Sequence, residues 1–338
     1  MAKVWMVRAG ENARFIEEFL KGIVSVGWNE IGDLTNLKTQ EEILKTYQKS
    51  FPSETKAQIS TAVAMLYKFR TVFKQGDKVV TYNPKQREYS VGTFVSDYFF
   101  KKAKESEHFH LRKVEWEGKV NRDRLSITAR NSLGSVLTLF TVNDDVWTEI
   151  KRLLHSQELP FETEEIITSE EKTELKQGFV LTRDELREKA HELIKDKIIS
   201  LADNELEELA AALLRAMGFR ARVSPKGYDR GVDVFASPDG LGLKEPRIKV
   251  EVKHRRHTQI GSQDLRSFIG VLRQGDKGLY VSTGGFTKDA KYEADRSNHP
   301  VTLLDLDELA NLIVTHYENF NVEGRALLPL TKIYLPNE

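Results

Sequence analysis

The chain has no cysteine in its 338 residues. That excludes a disulfide framework and any thiolate metal site. It has no apolar run long enough to span a bilayer and no basic-plus-apolar signal at its start. These absences predict no membrane association and a cytoplasmic location. Net charge is absent too, with 51 basic residues against 51 acidic ones. A uniformly basic surface for nucleic acid is thereby excluded, so the distribution of charge matters more than its sum. The run Ser282-Thr-Gly-Gly-Phe-Thr287 has two glycines, but no Gly-Lys-Ser/Thr follows. Nucleotide hydrolysis on a phosphate-binding loop is not indicated, and a tight strand-to-helix connection is the favoured reading. No Gly-x-Ser-x-Gly elbow and no Ser/His/Asp set is legible. His108, His110, His254 and His257 do not complete a zinc site, and they read as solvated.

What is present describes a folded protein. Hydrophobic residues make up 40% and charged residues 30%, a soluble, globular balance. The length suits two domains with cores of their own. Residues 244–256 carry six basic and two acidic side chains, net +4. Residues 157–177 carry seven Glu and two Lys, net −5. The first segment suits a phosphate backbone; the second reads as an acidic linker.

Three regions follow. Residues 1–155 show early helices, near Ala13–Leu20, Gln40–Gln48 and Lys56–Phe73. Strands come mainly later, at Lys78–Tyr82, Tyr89–Val95, Leu111–Trp116 and Val136–Val142, after earlier ones at Val4–Val7 and Ile23–Val26. This is an α+β pattern. Residues 156–200 form the acidic linker and a charged helix opened by the capping pattern Thr182-Arg-Asp-Glu185. Residues 201–338 alternate helix and strand, which predicts an α/β domain with a central mixed sheet flanked by helices. In its first helix Leu206, Leu209, Ala210, Leu213 and Leu214 share one face, with Asp203 as N-cap and Gly218 at the end.

The chemistry concentrates in Gly231-Val-Asp-Val-Phe-Ala and Lys249-Val-Glu-Val-Lys253. Asp233, Glu251 and Lys253 interrupt apolar, β-branched runs. Residues two apart on a strand face the same side, so Glu251 and Lys253 project together. Charges in such a place are normally paired or bound to a metal. Asp233 and Glu251 offer hard oxygen ligands to Mg²⁺, with Mn²⁺ as a substitute, and Lys253 can hold a water or a phosphate. An ordinary half-exposed strand explains Glu-Val-Lys equally simply. Arg255 and Arg256 suit DNA phosphates, or else cap the strand.

These residues carry a resemblance. Leu206 to Phe219, Tyr228-Asp-Arg-Gly-Val-Asp233, Val250-Glu-Val-Lys253 and Gly278 to Ala290 resemble, in order, the blocks of Mrr-type restriction endonucleases of the PD-(D/E)xK superfamily. The resemblance covers roughly residues 200–316. Glu251 stands where many members have Gln, and Leu206 where Phe is common. The resemblance implies a restriction-endonuclease-like fold, hydrolysis of DNA with Mg²⁺, metal binding by Asp233 and Glu251, and water activation by Lys253. It also implies a supporting carboxylate at Glu207, for which helix propensity is the competing explanation. Asp229 reads as a turn residue.

Residues 1 to about 142 are similar to PUA-like and EVE-like modules, some of which accept a flipped modified base. The similarity rests on Val4 to Gly10, Gly27-Trp-Asn, Gly76 to Tyr82, Val91-Gly92 and Arg130 to Ser135. A flipped base needs an aromatic face and polar edges. Trp28 and Asn29 supply both types, Arg8 and Tyr82 can join them, and Asn131 sits in a segment read as a polar loop. A core role for Trp28 is the alternative. The expectation is therefore an endonuclease of restriction or defence type acting on double-stranded DNA, plain or modified. Cutting both strands in one event predicts a homo-oligomer. The alternatives are a repair, RNA or branched-DNA nuclease, and a nucleic-acid sensor with an inactive nuclease domain.

Overall fold

A computed structural model describes residues 2–102, 108–135, 137–155, 183–225, 231–255 and 258–334. Tyr228, Asp229, Arg256, His257 and the acidic segment 157–177 lie outside them. The chain divides into two compact units, Met1–Lys189 and Ala190–Glu338.

The first unit is built on a seven-stranded sheet. Its strands are β1 (Val4–Val7), β2 (Ile23–Val26), β3 (Lys78–Asn83), β4 (Glu88–Phe94), β5 (Phe99–Phe100), β6 (His110–Asn121) and β7 (Leu139–Thr141), in the order β2-β6-β4-β3-β1-β7 with β5 beside β6. Every residue of β1 is buried. The strand is covered on both faces, so its sequence is a continuous apolar run rather than an alternating one. Trp5 and Val7 enter one core, and Val4 and Met6 the other. The first core is closed by α1 (Ile16–Leu20), α2 (Gln40–Ser50) and α3 (Lys56–Tyr67). Capping boxes Thr39/Glu42 and Thr55/Gln58 start the last two helices and satisfy their first free amides. The second core is closed by α4 (Ile127–Leu133) and α5 (Asp144–His155).

Several sequence expectations change here. Arg130-Asn131-Ser-Leu133 is helical, because the Ser126 hydroxyl accepts the Ala129 amide and starts α4. Helix α5 was not anticipated, although two Asp in its first turn and Arg152 and His155 in its last complement the helix dipole. Of the predicted strand Val136–Val142, whose first residue lies outside the described residues, Leu139–Thr141 is strand, while β6 runs on to Asn121. His110 is not solvated: it is fully buried. Its Nε2 faces the Trp28 carbonyl at 3.3 Å and must donate to it, which leaves Nδ1 to accept the Tyr98 hydroxyl at 2.8 Å. Burial holds its pKa below the usual histidine value, in keeping with that neutral tautomer.

The second unit carries a mixed five-stranded sheet in the order β12-β11-β10-β9-β8. Its strands are β8 (Arg220–Val223), β9 (Val234–Ser237), β10 (Arg247–Lys253), β11 (Asp276–Ser282) and β12 (Val301–Asp305). Strands β10, β11 and β12 are parallel; β8, β9 and β10 are antiparallel. Helix α6 (Arg183–Ile199) precedes α7 (Asp203–Ala216), which packs with α10 (Leu306–His316) and α11 (Val322–Leu327) over the face bearing Val250 and Val252. Asp203 is the first helical residue of α7 rather than its cap, and the Ala202 amide donates to Glu205 instead. The opposite face, with Tyr280, is covered by α8 (Ser262–Ile269) and α9 (Lys288–Asp295).

Within this unit Lys195 is buried against Glu192 at 2.5 Å and Asp307 at 3.0 Å, and His191 also reaches Asp307 at 3.1 Å. The His191 hydrogen bond, helped by Lys195 and opposed by burial, holds the Asp307 carboxyl well below the usual carboxylate range. A lowered acid contributes stability above its unfolded value, about 3.9, and loses it as pH falls through the folded value. Asp307→Asn is therefore expected to lower stability at pH 7 by about 1 kcal/mol, a figure discounted because Asp307 is half-exposed. The gap to the unaltered chain should narrow below pH ~4. Urea melts at pH 7 and at acid pH check both statements.

Candidate active site

Strand β10 is central, bonded to β9 on one side and β11 on the other. Its alternation puts Val250 and Val252 into the core under α7, and turns Glu251 and Lys253 to the other face. There the Lys253 ammonium donates to Glu251 at 2.9 Å. Asp233 lies just before β9, with its amide donating to the Val250 carbonyl at 2.8 Å. Its Oδ2 accepts the Val252 amide at 2.6 Å. Two main-chain bonds to one strand thus hold this carboxylate between the residues flanking Glu251.

Burial raises the Glu251 pKa, partly offset by Lys253, and the charges of Asp233 and Asp264 add to the rise. For Lys253 burial acts downward, but the Glu251 hydrogen bond and the carboxylates outweigh it and the pKa is raised. The ammonium is therefore firmly protonated and the carboxylates crowd one another.

Residues 200–313 match the restriction endonuclease family Mrr_cat. This segment is an Mrr-type restriction endonuclease domain. It is a DNA nuclease domain of restriction type. Residues 3–144 match a family described only as a domain of unknown function (DUF8426). No curated protein matches the chain. Two solved structures resemble it loosely. One is the MspJI restriction endonuclease in complex with a 27-mer oligonucleotide, at 13% identity over 86% of this chain and 70% of that chain, with TM-score 0.33. The other is the DNA modification-dependent restriction endonuclease AspBHI, at 12% identity over 96% and 83%, with TM-score 0.33.

The Mrr-type domain has a donor set that suits a hard divalent cation. Among the described residues no group of three or more His, Cys, Asp or Glu side chains converges as a ready metal cage. Two crowded carboxylates are nonetheless what Mg²⁺ commonly uses, since it keeps several waters and takes phosphate oxygens for the rest. A cation between them would also offset the burial and the carboxylate repulsion that raise the Glu251 pKa.

The structure brings Asp233, Glu251 and Lys253 together and adds Asp264, which sequence reasoning missed. An Asp in the first turn of α8 reads as a dipole partner, so nothing local marked it. Asp264 also pairs with Arg255 at 3.3 Å. Glu207 is half-buried on α7, and it is not among the strongest charges acting on Glu251. His254, expected to be solvated, faces the Thr283 hydroxyl and the carbonyls of Ile199 and Leu201, each at 3.1 Å. The loop at Gly284 is tight, as expected: a Cβ there would collide with the main-chain oxygens of Arg255 and Thr258.

In the first unit the predicted residues do not form one cluster. Trp28 adopts a left-handed backbone (φ 64), packs half-buried against the first core, and hydrogen-bonds the Tyr47 hydroxyl through its side chain. Asn29 accepts the Phe109 amide at 2.9 Å. Arg8 pairs with Glu188 at 2.5 Å. Tyr82 lies against the other core, 4.6 Å from the Tyr89 ring and facing Arg122. Asn131 is exposed on α4. Truncating Trp28 to Ala is expected to lower stability by about 2–4 kcal/mol, by loss of packing around a large ring. Asn131→Ala should change it by less than about 0.5 kcal/mol. Thermal melts of the two variants make the comparison.

Proposed function

We propose that the chain is a divalent-cation-dependent DNA endonuclease of the modification-dependent kind. Asp233 and Glu251 hold Mg²⁺ or Mn²⁺, which supplies charge neutralisation at the scissile phosphate. Lys253 orients the attacking water or the phosphate. The observation that carries this reading is the Glu251–Lys253 pair at 2.9 Å on a central strand, beside an Asp233 held by the same strand. Nothing in the packing requires these charges, since apolar residues would fill a strand flanked on both sides more cheaply. Glu207 is assigned a supporting part.

In the same proposal residues 1–155 form a PUA-like DNA-recognition domain, 156–200 a connector and 201–338 the nuclease domain. The first domain reads a flipped base through the exposed side of Trp28, with Asn29 and Arg8 at its edge. Tyr82 and Asn131 are assigned to the DNA backbone rather than to that pocket, since Tyr82 faces the other core. Arg255 and Arg256 meet phosphate next to the cutting site. Two copies of the chain cut the two strands.

Matched plasmids with and without base modification, incubated with Mg²⁺, test the whole reading. Cleavage should favour the modified plasmid and stop with EDTA. Asp233→Asn, Glu251→Gln and Lys253→Met should each slow it by at least about 10²-fold. Circular dichroism should stay unchanged. Wild-type cutting by any two of these variants would place the active site elsewhere. With the Asp233→Asn chain as a non-cutting binder, Trp28→Phe should keep the fold and reduce the preference for modified duplex at fixed salt. An unchanged preference removes base reading at Trp28.

A further inference from the structure

Tyr280 is a buried polar group that the cation site described above does not use. It lies in the middle of β11 and is fully buried. Its register partner on β10 is Glu251. In a parallel pair, opposite residues put their side chains on the same face. The ring is held edge-on between Phe268 at 5.2 Å and Phe286 at 5.8 Å, so its direction is determined by packing. Its hydroxyl is buried and has no hydrogen-bond partner among the described residues. Burial pushes the phenol pKa up, and the charges of Glu251, Asp264, Arg255 and Asp233 all act on it. The hydroxyl therefore belongs to the surroundings of the carboxylate cluster.

A buried tyrosine normally finds a partner for its O–H. A phenylalanine would fill this aromatic slot without leaving a donor unpaired. The register partner of Tyr280, Glu251, takes the Lys253 ammonium on Oε1 at 2.9 Å. Carboxylates that bind metals are commonly steered by donors behind them.

We infer that Tyr280 is a positioning residue for the cation site: its hydroxyl donates to the Glu251 carboxylate once that carboxylate turns from Lys253 to a divalent cation. The exchange releases the Lys253 ammonium toward water or phosphate. This inference rests on the reading of Asp233 and Glu251 as cation ligands.

The test uses the full chain without DNA and titrates Mn²⁺ by calorimetry, with tyrosine difference absorbance as a second readout. Tyr280→Phe should bind Mn²⁺ about 10-fold more weakly. It should melt at the same or a higher temperature without metal, since it loses only an unpaired donor. The difference spectrum produced by Mn²⁺ in the unaltered chain should disappear. Unchanged Mn²⁺ affinity in Tyr280→Phe overturns the role of the tyrosine alone. A metal-free melting temperature several degrees lower also overturns it, because the hydroxyl would then serve the fold. Asp233→Ala separates the role of Tyr280 from the existence of the cation site. If it binds Mn²⁺ as the unaltered chain does, or if neither binds, the cation site itself is wrong and the inference falls with it.

Discussion

The Mrr-type domain depends on one strand doing two incompatible things. β10 must be buried on the face of Val250 and Val252 to hold α7, and it must carry Glu251 and Lys253 on the other. A buried carboxylate without a partner is strongly disfavoured. The pairing with Lys253 makes the charge tolerable, and the two main-chain bonds to Asp233 place a second carboxylate beside it at no conformational freedom of its own. Lys249, one alternation earlier, solves the same problem by pairing with Asp276 at 2.9 Å. There the partner comes from the start of the next strand, and the pair is structural. The two lysines on one face thus differ in partner, not in kind.

This difference explains what was legible in the sequence. The period of two along Lys249 to Lys253 identified the strand, its buried face and the joint projection of Glu251 and Lys253 without any fold in hand. Asp233 was legible because it breaks an apolar run. Asp264 and Tyr280 were not. Each is ordinary in its local setting, an acid in a helix's first turn and an aromatic in a strand, and only the tertiary fold puts it beside β10. The matched family covers the region where local patterns were strong.

The first unit hid more, for a different reason. Its polar residues are used inside. Asp77 accepts the Lys3 amide at 3.0 Å, the Trp5 indole at 2.9 Å and the Lys74 amide at 3.1 Å. Arg112 is fully buried, donates to the Phe69 carbonyl at 2.8 Å and faces three phenylalanine rings. Burial lowers its pKa to about 10. Arg87 pairs with Asp123 at 2.6 Å, both buried. A reading that treats charge as surface assigns such residues to solvent or to DNA. Satisfied networks of this sort instead specify one arrangement of strands, since each member fits only its own partners. The same holds for His110, whose two nitrogens are both committed.

Gly284 gives the second unit a seam of another sort. The obstacles to a side chain there are main-chain oxygens, so no rotamer change nearby can make room. Gly284, after β11, is consequently in backbone-to-backbone contact with Arg255 and Thr258 at a point that admits only hydrogen. For protein engineering this sets a boundary. The Arg255 side chain can be exchanged to retune charge, but the main chain at Arg255 and Thr258 cannot be shifted toward Gly284 without rebuilding the β11 loop as well. Chimaeras that graft a foreign basic segment onto this sheet would have to import both loops as one piece.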